Sequence, residues 1–394
     1  MARRASKTAP KMHPSEWPPG CCAGTGRGGP RDRPVRYRHP MTSIPLIVDV
    51  DTGIDDSLAL LYLAASPEAE LVAVTCVGGN VDARQVERNT RSVLELAGRT
   101  DVEVALGREQ PLVRPVETTP ETHGPQGLGY AELPPPSRPL SERNAADVFL
   151  EEARKRPGEL TLVTTGPLTN LAVALLREPD LPGLLRGWVL MGGAYRHPGN
   201  TAPTTEWNIH CDPDAAKIAF AAWGDAAARL GIARPVALGL DVTEQAIMLP
   251  EHVVALAKAA GSTPDDSIAL ARGEDPMTAT RSVASNPIVR YIADALRFYM
   301  EFHARYDGFY GAFIHDALAV AAALDPSLVT TKAVAVDVEL GGTLTTGETV
   351  TDWRGVWGRQ PNLDVAISAR ADTFLDRFVE RVGRLAGDRA NVAI

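Results

Sequence analysis

Short apolar runs alternate with helix-like segments along the chain from residue 44 onward, and this alternation limits the folds that the chain can adopt. Strands that are each followed by a helix are typical of a mostly parallel central sheet with helices on both faces. We therefore predict an α/β fold with a Rossmann-like core. The predicted strands are residues 44–50, 71–77, 160–164, 188–191, 236–240, 334–339, 350–352 and 365–368. The predicted helices are residues 55–65, 82–97, 168–176, 250–260, 286–305, 316–323 and 372–385.

Two long segments, residues 107–140 and 192–210, are rich in glycine and proline and show little periodicity. Loops of this length inside a compact domain are usually lids or binding loops. Polar motifs also follow several of the predicted strands directly. Because ligands of open parallel sheets bind in the crevice outside the carboxyl ends of the strands, we expect the active site at that edge of the sheet.

Charge is distributed unevenly along the chain. Residues 1–40 carry nine basic and two acidic side chains, whereas the whole chain has a net charge of −9. The rest of the chain is therefore strongly acidic, which favours a cation site and argues against nucleic acid as a partner. The basic segment could be an arm that binds nucleic acid, but its composition favours a disordered extension over residues 1–43. We predict a single catalytic domain over residues 44–394, with Met41 as the natural start.

Cysteine content and hydropathy indicate the compartment. The four cysteines show neither a disulfide framework nor the spacing of a metal motif. A reducing cytosol is the simplest compartment for such a chain, so we predict a cytoplasmic location. No stretch approaches the roughly 18–20 apolar residues of a membrane span, and the N-terminus lacks the apolar segment of a secretory signal. We expect no membrane partner.

Four aspartates, Asp49, Asp51, Asp55 and Asp56, come at and just after the end of the first predicted strand. Carboxylates this close repel one another unless a cation neutralises them, and oxygen ligands favour Ca²⁺ or Mg²⁺ over zinc. Acidic residues also occur at helix N-termini without any cation. That alternative accounts for Asp55 or Asp56 but not for Asp49 and Asp51, which lie inside or beside an apolar strand. We therefore predict a metal site.

A second alternative is the nucleophile motif of haloacid dehalogenase-type phosphatases, which reads Asp-x-Asp-x-Thr after a strand. Here residues 49–53 read Asp-Val-Asp-Thr-Gly, so the threonine is missing from its place. The pair Asp55-Asp56 also comes far too early for the later acidic motif of that class. The sequence therefore disfavours a phosphatase.

Several further polar motifs fall where a sugar site would need them. Amides and a carboxylate around an aromatic side chain suit sugar hydroxyls and the sugar ring, although each motif alone is also common in ordinary loops and helix starts. These motifs are Asn80, Thr165-Gly166, Met191-Gly192-Gly193, Gly199-Asn200, Glu206-Trp207-Asn208, Asp212-Pro213 and His315-Asp316.

In this order the motifs resemble those of the inosine-uridine preferring nucleoside hydrolases, over nearly all of residues 44–394. Residues 49–56 match the family's Asp-x-Asp-x-Gly-x-Asp-Asp opening, and residues 162–170 and 189–193 are similar to its next strand motifs. Residues 206–208 resemble its Glu-Phe-Asn segment, and His315-Asp316 its closing motif. The resemblance implies hydrolysis of the N-glycosidic bond of ribonucleosides to free base and ribose.

The resemblance also implies a Ca²⁺ cofactor and roles for particular residues. It implies that Asp51, Asp56 and Asp316 hold Ca²⁺ through carboxylates and Thr165 through its backbone carbonyl, with the ribose 2′- and 3′-hydroxyls and a water as further ligands. Asp51 would be the general base for that water, and His315 would protonate or orient the departing base. The implied substrate-binding residues are Asp55, Asn80, His123, Met191, Asn200, Glu206, Trp207 and Asn208.

The identity of the base remains open. Trp207 stands where the family usually has Phe, and Ser57 replaces a common Ala. The histidine at position 315 is typical of the inosine-uridine subgroup, because purine-specific relatives have Trp there. The residue that reads the base could be any of the aromatic residues Tyr306, Phe309 and Tyr310.

Two alternatives to nucleoside hydrolysis are open at this point. One is hydrolysis of another N-riboside, such as nicotinamide riboside, for which the sugar half of the site would look the same. The other is a catalytically silent nucleoside-binding protein, which is disfavoured because every position inferred to be catalytic is filled. The resemblance also suggests a homodimer or a homotetramer.

Overall fold

One nine-stranded sheet organises the residues that the structure describes. The structure is a computed structural model, and it describes residues 43–263 and 281–390. The strands are β1 (Ile44–Val50), β2 (Ala69–Cys76), β3 (Glu103–Leu106), β4 (Thr161–Thr164), β5 (Gly187–Met191), β6 (Val236–Leu238), β7 (Ile247–Met248), β8 (Ala312–Phe313), β9 (Val329–Val338), β10 (Thr349–Asp352) and β11 (Leu363–Ala369). Their order in the sheet is β10-β9-β11-β6-β5-β4-β1-β2-β3, and β7 pairs with β8 separately.

Seven of the nine strands are parallel. Strands β11, β6, β5, β4, β1, β2 and β3 pair in parallel, and β9 and β10 continue the sheet antiparallel beyond β11. The run β3-β2-β1-β4-β5-β6 is the doubly wound order, in which the chain changes direction across the sheet beside its first strand. Asp49 of β1 pairs with Thr164 of β4, so the residues that follow these two strands emerge side by side at the switch point.

Helices cover both faces of the sheet. They are α1 (Ile54–Ala64), α2 (Ala83–Leu96), α3 (Pro120–His123), α4 (Ala145–Lys155), α5 (Thr169–Arg177), α6 (Leu181–Leu184), α7 (Trp207–Cys211), α8 (Pro213–Leu230), α9 (Leu240–Thr243), α10 (Pro250–Ala259), α11 (Pro287–Tyr306), α12 (His315–Leu324) and α13 (Ala371–Arg389). Successive side chains of a strand point to opposite faces. Leu46 and Val48 of β1 accordingly join the core formed with α1, α2, α11, α12 and α13, and Ile47 joins the core formed with α4, α5 and α8.

The predicted architecture, a mostly parallel sheet with helices on both faces, is confirmed, and β1 has the predicted bounds. The prediction was wrong at residues 239–240, because the strand β6 ends at Leu238 and Leu240 begins α9. It also omitted β3, α4 and α8. The ends of α8 were readable from sequence: Asp212 caps its first turn, Pro213 takes the first position, and Gly231 ends it in the left-handed conformation at φ 68°.

Two predictions about the N-terminus, the disordered extension over residues 1–43 and the start at Met41, lie outside the described residues except for Ser43. Among the helices of the described residues, none has the length and apolar character needed to cross a membrane.

Candidate active site

Two strand ends and two helix starts meet in the crevice beside β1. Asp51 follows β1 and Thr165 follows β4, whereas Asp55 and Asp56 lie in the first turn of α1 and Asp316 in the first turn of α12. Helix N-termini carry partial positive charge, which stabilises carboxylates placed there. The fold therefore brings the carboxyl group of Asp316 to those of Asp51, Asp55 and Asp56, more than 250 residues earlier in the chain.

The closest carboxyl groups are those of Asp55, Asp56 and Asp316. One oxygen of each lies within 4.8 Å of one from each of the others, and all three residues are buried. Among the described residues, Asp55 Oδ1 has no hydrogen-bond partner. Asp55 was predicted to contact ribose, and its carboxyl group also lies among the expected metal ligands.

Asp51 is anchored through one oxygen only. Its Oδ2 accepts a hydrogen bond from the backbone N–H of Asn80 at 2.9 Å, while its buried Oδ1 has no partner within the described ranges. Asp56 is held more fully, because Oδ1 accepts from Thr165 Oγ1 at 2.8 Å and Oδ2 from the backbone N–H of Gly53 at 3.0 Å. Asp51 is thus fixed in place with one oxygen available for a ligand or a proton.

Burial raises the pKa of each of these carboxyl groups. The pKa of Asp55 is raised to about 7, with the neighbouring Asp56 charge as the second cause. The pKa values of Asp51 and Asp316 are raised well above their usual range by burial and then by neighbouring carboxylates, and burial also raises the pKa of Asp56. A bound cation reverses such shifts. Oxygen donors with unpartnered buried atoms fit a hard cation such as Ca²⁺.

Asp49 lies below this group and is fully buried. Its Oδ1 accepts hydrogen bonds from Thr75 Oγ1 at 2.6 Å and Asn170 Nδ2 at 2.8 Å, and its backbone carbonyl accepts from the Thr165 N–H at 2.8 Å. Burial raises the pKa of Asp49 to about 7. These contacts tie the ends of β1 and β4 together, so Asp49 supports the residues above it.

A cavity of about 570 Å³ opens above the carboxyl groups. Ligand pockets of roughly 300–1,000 Å³ hold small molecules of nucleoside size. Asp51 and Asp56 lie beneath the cavity and do not line it within the described residues. The other predicted site residues all line it: Asp55, Asn80, His123, Thr165, Met191, Asn200, Glu206, Trp207, Asn208, His315 and Asp316.

The loop before α7 supplies the side chains expected at the sugar. The Glu206 carboxylate caps α7, with Oε1 accepting from the Asn208 N–H at 2.8 Å and Oε2 from the Gly193 N–H at 2.8 Å and the Ile209 N–H at 3.2 Å. Burial raises the pKa of Glu206 and these backbone bonds oppose it. Asn200 Oδ1 accepts from the Trp207 N–H at 3.0 Å. Glu206 therefore shapes the loop in addition to lining the cavity.

The carbonyl of Thr165, an expected metal ligand, also has a protein partner. It accepts a hydrogen bond from Asn208 Nδ2 at 2.7 Å, and the same amide lies 3.4 Å from Met191 Sδ. A carbonyl oxygen has two lone pairs, so this bond leaves one for a cation. Asn208 thus links the sugar side of the cavity to the carboxyl side.

Two predicted histidines, His123 and His315, face the cavity from α3 and α12. His123 Nδ1 accepts a hydrogen bond from the backbone N–H of Ile54 at 3.1 Å, so its proton is on Nε2. His315 Nδ1 lies 2.8 Å from Thr243 Oγ1. Burial, and then the charge of His303, lower the pKa of both to about 3, so both rings are neutral near pH 7. In that state their ring nitrogens can orient a base.

Helix α11 contributes the aromatic wall. Tyr306 lines the cavity, whereas Phe309 stacks on His303 and Tyr310 packs against the core, so Tyr306 is the one of the three candidates that faces a ligand. The other wall residues of this region were not predicted from the sequence. Their signal was the helical spacing that puts positions 299, 302, 303 and 306 on one face. These residues are Tyr299, Phe302 and His303 of α11, together with Phe313 of β8, which the helical spacing does not cover.

Comparison with known proteins agrees with this geometry. Residues 46–376 match the family model described as inosine-uridine preferring nucleoside hydrolase. The chain is 34% identical over 343 residues to the inosine-uridine preferring nucleoside hydrolase of Leishmania major, covering 86% of this chain and 98% of that one. It is 34% identical to uridine nucleosidase 1 of Arabidopsis thaliana, covering 79% of this chain and 84% of that one.

Comparison with solved structures also identifies ribonucleoside hydrolases as similar proteins. A purine-preferring ribonucleoside hydrolase from Gardnerella vaginalis superimposes with a TM-score of 0.75 at 32% identity, covering 87% of this chain and 99% of that one. The fold and the site define an N-glycosyl hydrolase built on a doubly wound sheet. The chain belongs to the inosine-uridine preferring nucleoside hydrolase family and is an enzyme of the ribonucleoside hydrolase class.

Proposed function

We propose that the chain hydrolyses the N-glycosidic bond of ribonucleosides to free base and ribose, in a reaction that depends on Ca²⁺. The observation that carries this proposal is the convergence of Asp51, Asp55, Asp56 and Asp316, all buried, at the floor of a cavity walled by amides, histidines and aromatic rings. Relatives whose names specify inosine, uridine and purine ribonucleosides support the substrate class.

The Ca²⁺ ligands in this proposal are the carboxylates of Asp51, Asp56 and Asp316 and the carbonyl of Thr165, with Asp55 close enough to contribute. Their support is the unpartnered buried oxygens of Asp51 and Asp55 and the mutual closeness of three carboxyl groups. When bound, the cation supplies positive charge that orients the ribose hydroxyls and makes a water molecule more acidic.

The side chains of the protein bind the sugar and accept the proton of the attacking water. Asp55, Asn200, Glu206 and Asn208 hydrogen-bond the ribose hydroxyls and hold the sugar against Trp207. Asp51 Oδ1 accepts the proton of the attacking water, because Asp51 is fixed at Oδ2 and its Oδ1 has no partner in the described part of the chain. Glycosidic cleavage develops positive charge on the ribosyl ring, which the surrounding carboxylates stabilise.

A nucleoside panel tests the activity. Wild-type protein supplied with Ca²⁺ should release ribose from inosine or uridine in a reducing-sugar assay. Asp51→Asn should lower kcat/KM by at least about 10³-fold, since it removes the base and a cation ligand together. Asp101→Asn, a change at an exposed carboxylate paired with Arg99, should leave turnover unchanged. No ribose from any nucleoside would contradict the proposal and would favour a silent nucleoside-binding protein.

Chelation tests the cation separately. Removing Ca²⁺ with a chelator should abolish turnover and lower the melting temperature, and restoring Ca²⁺ should reverse both, because a ligand bound only by the folded state stabilises it. Asp316→Asn should weaken the thermal response to Ca²⁺. Full activity in the chelated protein would contradict calcium dependence and leave nucleoside hydrolysis standing.

A second candidate substrate, a positively charged N-riboside, is favoured by the charge of the cavity. The described lining residues include the carboxylates of Glu121, Glu244 and Asp307 as well as several aromatic rings, and no lysine or arginine. Nicotinamide riboside carries a cationic pyridinium ring, whereas nicotinic acid riboside has the same ring with a carboxylate in place of the carboxamide. A preference for the first over the second of at least about tenfold would support this candidate, and equal rates would exclude it.

We also propose that the enzyme is a homodimer or homotetramer in the cytoplasm, with a nucleoside as its small-molecule partner and neither nucleic acid nor membrane as another. The named relatives are the support for the nucleoside. Sedimentation equilibrium of the purified chain measures the oligomeric state, and fractionation of the source cells measures the location.

A further inference from the structure

Trp207 brings a hydrogen-bond donor into a cavity wall where the family usually has phenylalanine. Its side chain lines the cavity, and the residue is half-buried at the first position of α7. The indole Nε1 is buried and has no hydrogen-bond partner in the described part of the chain. Buried polar groups nearly always have a partner, and an indole N–H can only donate. An unpaired donor in a ring that lines a cavity therefore indicates an acceptor that arrives with the ligand.

The loop that carries Trp207 is fixed at two points. The Trp207 N–H donates to Asn200 Oδ1 at 3.0 Å, which joins the two ends of the loop. Thr205 Oγ1 donates to the Thr346 carbonyl at 2.9 Å, which attaches the loop to the turn between β9 and β10. These bonds hold the backbone at Trp207 in place, so the indole donor is positioned before a ligand enters.

The imidazole of His210 packs against the Trp207 ring. The two ring centroids are 5.9 Å apart, with an interplanar angle of 23°. His210 Nε2 lies 3.1 Å from Glu117 Oε2, a residue of the first long loop that is rich in glycine and proline. Among the described residues Trp207 lines the cavity and His210 does not. The two long loops therefore meet at this contact, which holds the indole ring at the cavity wall.

The layout of the cavity leaves one polar group of a nucleoside for Trp207. In the proposed function the ribose 2′- and 3′-hydroxyls lie at the carboxyl groups of the cavity floor. The base faces the wall formed by His123, His315 and Tyr306, which lie on α3, α12 and α11. The 5′-hydroxyl is the polar group that then remains, and the loop of residues 199–207 is the wall that remains beside the sugar. Trp207 therefore lies on the side of the cavity where the 5′-oxygen belongs.

Glu206, the residue before Trp207, offers an acceptor on the same side. Its Oε1 accepts one backbone hydrogen bond, from the Asn208 N–H at 2.8 Å, whereas Oε2 accepts two. A carboxylate oxygen accepts about two hydrogen bonds, so Oε1 keeps one site for a ligand. A hydroxyl both accepts and donates. The 5′-hydroxyl thus matches a wall with an indole donor and a carboxylate acceptor, and a 5′-methyl group matches neither.

We propose that Trp207 is a specificity-determining residue whose indole N–H binds the 5′-oxygen of the nucleoside. The inference rests on the proposed function. Phenylalanine at this position would keep an aromatic wall but would remove the donor. A site that hydrogen-bonds a substrate hydroxyl rejects an analogue without it, because the polar groups of the site are then left buried and unpaired. The enzyme should therefore prefer nucleosides with a 5′-hydroxyl over 5′-deoxynucleosides, and Trp207 should carry part of that preference.

Trp207→Phe tests the contact on inosine or uridine, whichever reacts faster, and on its 5′-deoxy analogue. The variant should lower kcat/KM for the nucleoside by about 3- to 10-fold, the usual effect of losing one neutral hydrogen bond. It should change kcat/KM for the 5′-deoxy analogue by less than about twofold, because that substrate has no 5′-oxygen to bind. Activity on the analogue also shows that the variant is folded. The preference for a 3′-hydroxyl, measured with the 3′-deoxy analogue, should stay the same.

Two control variants separate the donor from other effects. Trp357→Phe makes the same substitution at an exposed tryptophan outside the described cavity lining, and it should change no rate. Thr204 lies in the same loop as Trp207, and its Oγ1 is also buried without a partner among the described residues. Thr204→Val should leave the preference for a 5′-hydroxyl unchanged. The same loss of preference in Thr204→Val would assign the indole donor to a contact within the loop and overturn the inference.

Three results with Trp207→Phe would also overturn the inference. Equal losses on the nucleoside and on its 5′-deoxy analogue would make Trp207 a residue of packing alone. Unchanged hydrolysis of both would remove any role for the donor, and a selective loss of the preference for the 3′-hydroxyl would place the donor at another oxygen. A wild-type protein that hydrolyses neither nucleosides nor their deoxy analogues would instead refute the proposed function, which distinguishes the two failures.

Discussion

Glycines allow the Asp51 carboxyl group to sit against the backbone at the ends of β2 and β4. A Cβ added at Gly79 would lie 2.1 Å from Asp51 Oδ2, and one added at Gly166 would lie 3.0 Å from Asp51 Oδ1. Heavy atoms do not approach to 2.1 Å without a bond, so a side chain at position 79 would displace the carboxyl group. The small residues after these strands therefore belong to the site as much as the aspartates do.

Gly79→Ala should accordingly lower kcat/KM for nucleosides by at least about tenfold, because the added methyl group moves Asp51 away from its position. The melting temperature of the chelated protein should change less than that of the protein with Ca²⁺, since the damage is concentrated at the carboxyl cluster. Gly187→Ala is the matched control: among the described residues no atom lies within 4 Å of its added Cβ. Equal activity in the two variants would contradict this account of the packing.

Within the elements, Asp212 joins the loop before α8 to two other parts of the chain. It caps α8 through the Ala215 N–H at 3.0 Å, and its Oδ2 accepts from the Leu112 N–H at 2.8 Å and from Thr169 Oγ1 at 2.8 Å. Asp212-Pro213 was among the motifs predicted to form the site. The structure places Asp212 fully buried and outside the described cavity lining, so it positions α7 and α8 and does not meet a ligand.

Asp212→Ala should lower the free energy of unfolding in urea by about 1–3 kcal/mol, because it removes a helix cap and leaves a buried N–H and a hydroxyl without partners. Asp214→Ala tests the neighbouring position, where the carboxylate forms a half-buried ion pair with Arg114 at 3.0 Å. Pairs near the surface contribute only about 0–1 kcal/mol, so this control should unfold close to wild type. Similar losses in both variants would contradict the anchoring role.

At the scale of the whole molecule, the burial of acidic groups links stability to pH and to cations. The pKa of Asp49 and that of Asp55 are each raised from 3.8 to about 7 in the folded chain. At pH values between 3.8 and about 7, the folded state therefore holds more protons than the unfolded state. By linkage, the free energy of unfolding should fall as the pH rises through this window and level off above it.

Urea unfolding of the chelated protein at pH 5 and pH 8 measures this effect, and we expect the lower pH to be the more stabilising of the two. Ca²⁺ should oppose the trend, because it binds ionised carboxylates and so stabilises the folded state more as the pH rises. Asp55→Asn should reduce the slope of the free energy of unfolding against pH, because it removes one of the two groups with a raised pKa. A chelated protein that becomes more stable from pH 5 to pH 8 would show that these groups are ionised without a cation.

Local sequence predicted the framework of the fold and the chemistry of its carboxyl side. The segment of residues 44–56, which contains β1, Asp51, Asp55 and Asp56, combines a buried strand, a helix start and hard oxygen ligands. Each of these properties depends on neighbouring residues, and periodicity and capping report them directly. Helix α8 was missed although Asp212 and Gly231 mark its ends, because its alanine-rich turns have weak apolar contrast.

Tertiary structure alone decided which distant side chains meet. No local pattern could show that the Thr165 carbonyl would accept a bond from Asn208, or that Asp55 would lie beside Asp316. The same holds for His303, whose place in the cavity depends on how α11 packs beside α3 and β8. Sequence determines local conformation and the kinds of groups available, because those depend on adjacent residues. Distances between groups far apart in the chain, and the pKa shifts that follow from burial, arise only when the helices close over the sheet.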